Sequence, residues 1–270
     1  MKKKGLLFYQ QGWTDIMNQM ALIDYYLTKY NYITAILRPD AEKIYEYYLK
    51  DKKNITKIYN PITHRSGVDP SFYEQFDKSE YDYLLHGKLD NNRYDKYKNR
   101  FLSEGIPLPD HFGKRFYTCY DIELETKVNY FEFTRNIKLE NKVYNDFIAQ
   151  YGSKYVLYHD NKLNDSDIKF NRKGGIAYVN VNGITDNAFS MIKVLMNARE
   201  IHVVDSFWGS FCYVVDAKYK LLNNADVYLY PFNRPMRWGG LLKDTTFKED
   251  FRNKMNNTMP IWLDNWKIVA

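Results

Sequence analysis

The sequence predicts an α/β protein built as two consecutive α/β halves facing across a cleft, and three observations carry that expectation. Short apolar runs alternate with helical patterns twice along the chain, which is the pattern of βαβ units on parallel sheets. An irregular stretch separates the two series. The segment 201–216, IHVVDSFWGSFCYVVD, changes from strand spacing to helix spacing at Asp205-Ser206. Such strand-to-helix junctions lie at the carboxyl edge of a parallel sheet, where ligands bind.

In the first series, residues 5–9 (GLLFY) read as a strand and 10–15 as a turn. The helix that follows carries Ile16, Met20, Ile23 and Leu27 at helical spacing, with Thr14 or Asp15 suited to its N-cap. Residues 33–37 make a second strand, 39–49 a helix capped by Asp40, and 55–59 and 81–86 the third and fourth strands. Residues 94–105 read as a helix that the Ile-Pro-Leu-Pro run at 106–109 breaks. FEFTR at 131–135 alternates like a strand and 138–151 is spaced like a helix, so 131–152 is read as the bridge between halves.

The second series places strands at 155–158, 176–182, 201–204 and 227–230. Helices are expected at 187–197, from Ser206 onward, and at 246–255. The expected boundaries are 1–135 for the first domain and 136–255 for the second, with 256–270 packing back towards the first.

Composition limits the classes open to the chain. With 270 residues, 45% hydrophobic and 27% charged, it is long and apolar enough to bury a core. Its apolar runs fall well short of the roughly 20 residues that span a bilayer, and the start MKKKGLLFYQQGW has too short an apolar run for a secretory signal. Cys119 and Cys212 are too few for a disulfide framework or a zinc cluster, so a reducing, cytoplasmic location is expected. The net charge of +6 suits an anionic partner. Lysines are interleaved with acids, as in KLDNNRYDKYKNR, so no nucleic-acid stripe is evident. Neither a Gly-x-Gly-x-x-Gly, a Walker sequence nor a Gly-x-Ser-x-Gly elbow occurs.

Read together, several stretches resemble one family. QGWTDIMNQMALI at 11–23 resembles the first loop and helix of the GT-B glycosyltransferases of the heptosyltransferase kind. MIKVLMNAREIHVVDSFWGSF at 191–211 is similar to the same family's donor motif. The resemblance also fits YVLYHDNK at 155–162 and the closing LDNWKIV. It implies two Rossmann-like domains facing across a cleft (GT-B type), with a nucleotide-sugar donor held by the C-terminal domain and a glycan acceptor held by the N-terminal one. Position by position, it implies that Asp15 takes the acceptor proton, that Asp205 and Ser206 stand beside the donor pyrophosphate, and that Lys162 answers phosphate charge. The pattern departs from the family at Thr14, Phe207 and Ser210.

The residues give this reading its chemistry. Glycosyl transfer needs a base for the acceptor hydroxyl and neutralisation of the leaving diphosphate. A carboxylate at Asp15 supplies the first, and direct displacement inverts the anomeric centre. The Ser206 hydroxyl and the N–H groups of Phe207, Trp208 and Gly209 at a helix start supply the second without a metal ion. Gly209 also lets a phosphate come close. His159, Lys162, Arg234 and Arg237 are further donor-side candidates. Gly12, Trp13, Asn18 and His86 are acceptor-side candidates. Asp15, Asp205 and Ser206 are also ordinary helix caps, and His202 reads as a satisfied core histidine. Asp165-Ser-Asp167 is a DxD sequence in a polar turn and is read as surface, so no metal is expected. No cofactor is expected either. Two readings from other classes stay open: a non-catalytic nucleotide-sugar or glycan-binding protein, and a nucleic-acid-associated α/β protein.

Overall fold

A computed structural model of the chain describes residues 4–9, 13–60, 72, 75–86, 116–117, 120–159, 168, 172–204, 206–230, 263 and 265–268. The fold is α/β, with two separate sheets whose strands all run parallel. Among the described residues, those up to Phe133 and those from Thr134 onward form two compact units.

The first unit contains β1 (Lys4–Tyr9), α1 (Trp13–Leu27), β2 (Ile33–Leu37), a 3-10 turn (Pro39–Ala41), α2 (Glu42–Leu49), β3 (Ile55–Tyr59), β4 (Tyr81–His86) and α3 (Thr126–Asn129). Its sheet has the order β3-β2-β1-β4. Every residue of β2 is buried and every residue of β3 half-buried, as expected for a central and an edge strand. The order reverses between β1 and β4, where Tyr9 is paired with His86 at the carboxyl ends.

Three local expectations change here. Helix α1 begins at Trp13, so Thr14 and Asp15 lie inside its first turn and neither is the N-cap. Asp40 sits in the 3-10 turn and pairs with Arg38, while Pro39 opens that turn. FEFTR at 131–135 belongs to no strand. The backbone of Glu132 is instead held by side chains: its N–H donates to Asp24 at 3.1 Å, and its carbonyl accepts from Lys52 at 2.6 Å. An alternating pattern needs a free sheet edge to become a strand, and these groups are already used.

The second unit contains α4 (Ile137–Tyr151), β5 (Tyr155–His159), β6 (Ala177–Asn180), a 3-10 turn (Ala188–Met191), α5 (Ile192–Met196), β7 (Glu200–Val204), α6 (Phe207–Tyr219), β8 (Asp226–Tyr230) and β9 (Trp266–Ile268). Asn136 caps α4, its side chain accepting from the Leu139 N–H at 3.1 Å. The sheet order is β6-β5-β7-β8-β9, reversing between β5 and β7. The tail is a correction: Trp266–Ile268 forms the fifth strand of this sheet, whereas the sequence reading sends it to the first domain.

Asp216 explains that placement. Its fully buried carboxylate accepts from the Leu222 N–H at 2.9 Å, the Trp266 indole N–H at 3.0 Å and the Asn265 amide at 3.2 Å. A buried carboxylate demands such partners, and Asn265-Trp266 meets that demand while seating β9 beside β8. The expected helices at 94–105 and 246–255 lie outside the described residues. Among the described residues, no helix is long and apolar enough to cross a membrane.

Candidate functional site

In an open parallel sheet, the loops diverge at the carboxyl ends of the two strands that flank a reversal, and ligands bind there. In the second sheet those strands are β5 and β7. β5 ends at His159, and β7 passes through one residue, Asp205, to Ser206, the residue before α6. Their side chains meet: Ser206 Oγ lies 3.0 Å from His159 Nδ1, joining residues 47 apart in sequence.

That contact changes the meaning of Ser206. It stands at the N-cap of α6 in extended conformation, yet its side chain makes no capping hydrogen bond. The hydroxyl is turned towards His159. The N–H groups of a helix's first turn have no intrahelical acceptor by construction, the Ser206 side chain does not cap them, and the positive end of a helix attracts an anion.

Gly209 has a second reason to be glycine. A Cβ there would lie 2.5 Å from the backbone oxygen of Val204, so the missing side chain is what lets α6 start tight against the end of β7. This packing is sufficient to require glycine, with or without a phosphate nearby. Trp208 is buried, its ring edge-on to Phe207 and Phe211. It offers a backbone N–H here and no exposed ring, whereas Phe207 is half-buried.

The strand expected at 176–182 ends at Asn180, and polar groups gather at its end and in the loop that follows. Asn180 accepts from the Asn182 N–H at 2.9 Å, Asn187 caps the following 3-10 turn, and Thr185 lies 3.2 Å from Ser190. The sequence signal was the run Asn180-Val-Asn-Gly183-Ile-Thr185-Asp-Asn187, in which polar and glycine residues cluster as they do in loops. Phe189 is fully buried against Phe211 and belongs to the core.

At the reversal of the first sheet, Asp15 is 3% exposed in the first turn of α1 and Asn18 is 2% exposed one turn on. His86 ends β4 fully buried with both ring nitrogens engaged. The Phe116 carbonyl can only accept, so Nδ1–H donates to it at 2.7 Å, and Nε2 accepts from the Tyr26 hydroxyl at 2.8 Å. The Tyr120 ring lies on it at 4.1 Å. His86 therefore ties β4 to α1 through Tyr26 and to Phe116 and Tyr120. Trp13 is the first residue of α1.

His202 is the satisfied core histidine that the sequence suggests. It stacks on Tyr228 at 4.5 Å, its Nε2–H donates to Glu200 at 3.2 Å, and Nδ1 accepts from Tyr230 at 2.8 Å. Burial lowers its pKa below 6.5 against the opposing pull of Glu200. Gly12, Lys162, Asp205, Arg234, Arg237 and the Asp165-Ser-Asp167 turn lie outside the described residues. Among the described residues, no cluster of three or more His, Cys, Asp or Glu is placed to hold a metal ion. No protein-family model, curated protein or solved structure matches this chain.

Proposed function

We propose that this chain is a glycosyltransferase of the GT-B type, moving a sugar from a nucleoside-diphosphate sugar to a glycan hydroxyl with inversion and without a metal ion. The observation that carries the reading is the Ser206–His159 hydrogen bond at the reversal of the second sheet. It holds the serine hydroxyl at the start of a 13-residue helix without spending it on the cap. Two phosphate oxygens set against that helix start would accept from backbone N–H groups, and the Ser206 hydroxyl would donate to a third position. His159 orients that hydroxyl. As the diphosphate leaves it gains charge, so donors fixed in place beforehand stabilise the transition state more than the ground state.

In this reading the acceptor belongs to the first unit, and Asp15 is the base that takes its proton. A carboxylate that is nearly sealed must meet its substrate at close quarters, which suits proton transfer away from bulk water. The same sealing favours a second reading, a nucleotide-sugar or glycan-binding protein without turnover, because a base with no route to its substrate is only a structural acid.

Thermal shift against a panel of nucleoside diphosphates tests the shared part. One or more should raise the melting temperature of the parent, and Ser206→Ala should weaken that response about tenfold in ligand concentration, the loss of one charge-assisted hydrogen bond. Donor turnover separates the two readings: sugar release or transfer supports the enzyme, and binding alone supports the second. A panel without any response removes both.

A further inference from the structure

Helix α1 is buried throughout residues 15–24, and the polar side chains it takes inside are mostly matched. Gln19 donates from Nε2 to the Ile36 carbonyl at 2.8 Å and accepts from the Tyr45 hydroxyl at 2.6 Å. Asp24 accepts from Tyr48 at 2.5 Å and pairs with Lys52 at 2.8 Å. Asn18 differs. Its backbone carbonyl accepts from the Tyr117 hydroxyl at 3.0 Å, but the side-chain Oδ1 is sealed with no hydrogen-bond partner. A buried acceptor left in that state costs stability that an apolar side chain of the same shape would not. Residues that cost a fold stability in this way are commonly kept for binding.

Geometry says what they would bind. Residues three apart on a helix share a face, and their side chains lean towards the N-terminus. Asp15 and Asn18 thus lie one above the other at the start of the 15-residue helix α1, beside the carboxyl end of β1 where the strand order reverses. The pair presents a carboxylate and an amide oxygen, both hydrogen-bond acceptors. A ligand that engages both oxygens brings two donors on neighbouring atoms. Adjacent hydroxyl groups of a sugar ring do that, each donating one hydrogen bond while its oxygen stays free for other contacts.

We propose that Asp15 and Asn18 form a two-point reader of a vicinal diol, with Asn18 as the specificity residue. Calling that ligand the acceptor rests on the glycosyl-transfer reading; the binding itself does not.

The test uses the full chain, its Asn18→Leu variant and methyl glycosides as probes, each pyranoside paired with its deoxy counterpart lacking one member of the diol. Asn18→Leu should melt about 2 °C higher than the parent. The parent's melting temperature should rise more with diol-bearing glycosides than with their deoxy forms, and Asn18→Leu should lose that difference while responding as before to nucleoside diphosphates. Asn18→Ala, which cannot overpack, should lose it too. A variant pair that keeps the diol preference, an Asn18→Leu that melts several degrees lower, or a parent that does not distinguish the paired glycosides overturns the proposal. A parent blind to nucleoside diphosphates but selective for the diol keeps this site and removes the glycosyltransferase.

Discussion

His86 and His159 border the reversals of the two sheets from opposite sides, His86 closing the strand after the crossover and His159 the strand before it. Each closes a strand that borders the point where the strand order reverses, and their bonding separates them. His86 gives Nδ1–H to the Phe116 carbonyl and receives the Tyr26 hydroxyl, so its ring is consumed in joining parts of the first unit. His159 faces Ser206 at the head of a helix whose first turn has no side-chain cap. A topological reversal supplies the opportunity for a site. Whether the polar residue placed there serves the fold or a ligand depends on where its hydrogen bonds go.

The first reversal still has Asp15, and that gives the largest expected effect. Asp15→Asn should lower sugar transfer by about 10²–10⁴-fold, the usual worth of a positioned base, while nucleoside-diphosphate affinity stays unchanged. Unchanged turnover would leave the first reversal with no catalytic part.

The next measurement concerns how the second reversal is built. Gly209→Ala sets a methyl group 2.5 Å from the Val204 oxygen, and backbone cannot yield as a flexible side chain can. A loss of about 1–3 kcal/mol in denaturant unfolding is expected, with weaker nucleotide binding because the helix start shifts. Full stability in this variant would mean that the junction is looser than its geometry implies.

The two histidines can be set against each other through their partners. Tyr26→Phe leaves a buried His86 nitrogen without its donor and should cost about 1–3 kcal/mol of stability with no change in nucleotide response. Ser206→Ala should do the reverse, hardly moving the melting temperature while weakening that response. Matching effects from the two variants would erase the distinction between them.

The smallest effect expected is in pH. Burial holds the folded pKa of His202 below 6.5, so the unfolded chain takes up a proton more readily than the fold. Stability from this residue is complete above pH 6.5 and is lost as pH falls below it towards the depressed folded value. The melting temperature of the parent should therefore drop more steeply on acidification through that window than that of His202→Gln.

Much of this was legible along the chain. The alternation of apolar runs named eight of the nine strands among the described residues to within a few residues, the tail strand being the exception, and the change of spacing at 205–206 marked the junction before α6. The interior position of His202 followed from apolar neighbours on both sides. Other features were not legible. Helix α1 begins at Trp13 because backbone hydrogen bonding starts ahead of Thr14 and Asp15, and the segment 131–135 alternates yet joins no strand among the described residues because Asp24 and Lys52 hold the Glu132 backbone. The unpartnered Oδ1 of Asn18 has no sequence signature, since the residue beside it, Gln19, is equally polar and fully matched.

The sequence by itself determined the kind and order of the elements, because helix and strand periodicity are read from neighbours a few positions apart. Only the tertiary structure decided the strand orders, the capture of β9 by Asp216, and the meeting of His159 with Ser206 across 47 positions. Those depend on which distant groups satisfy one another once water is excluded, and spacing along a chain carries no record of that choice.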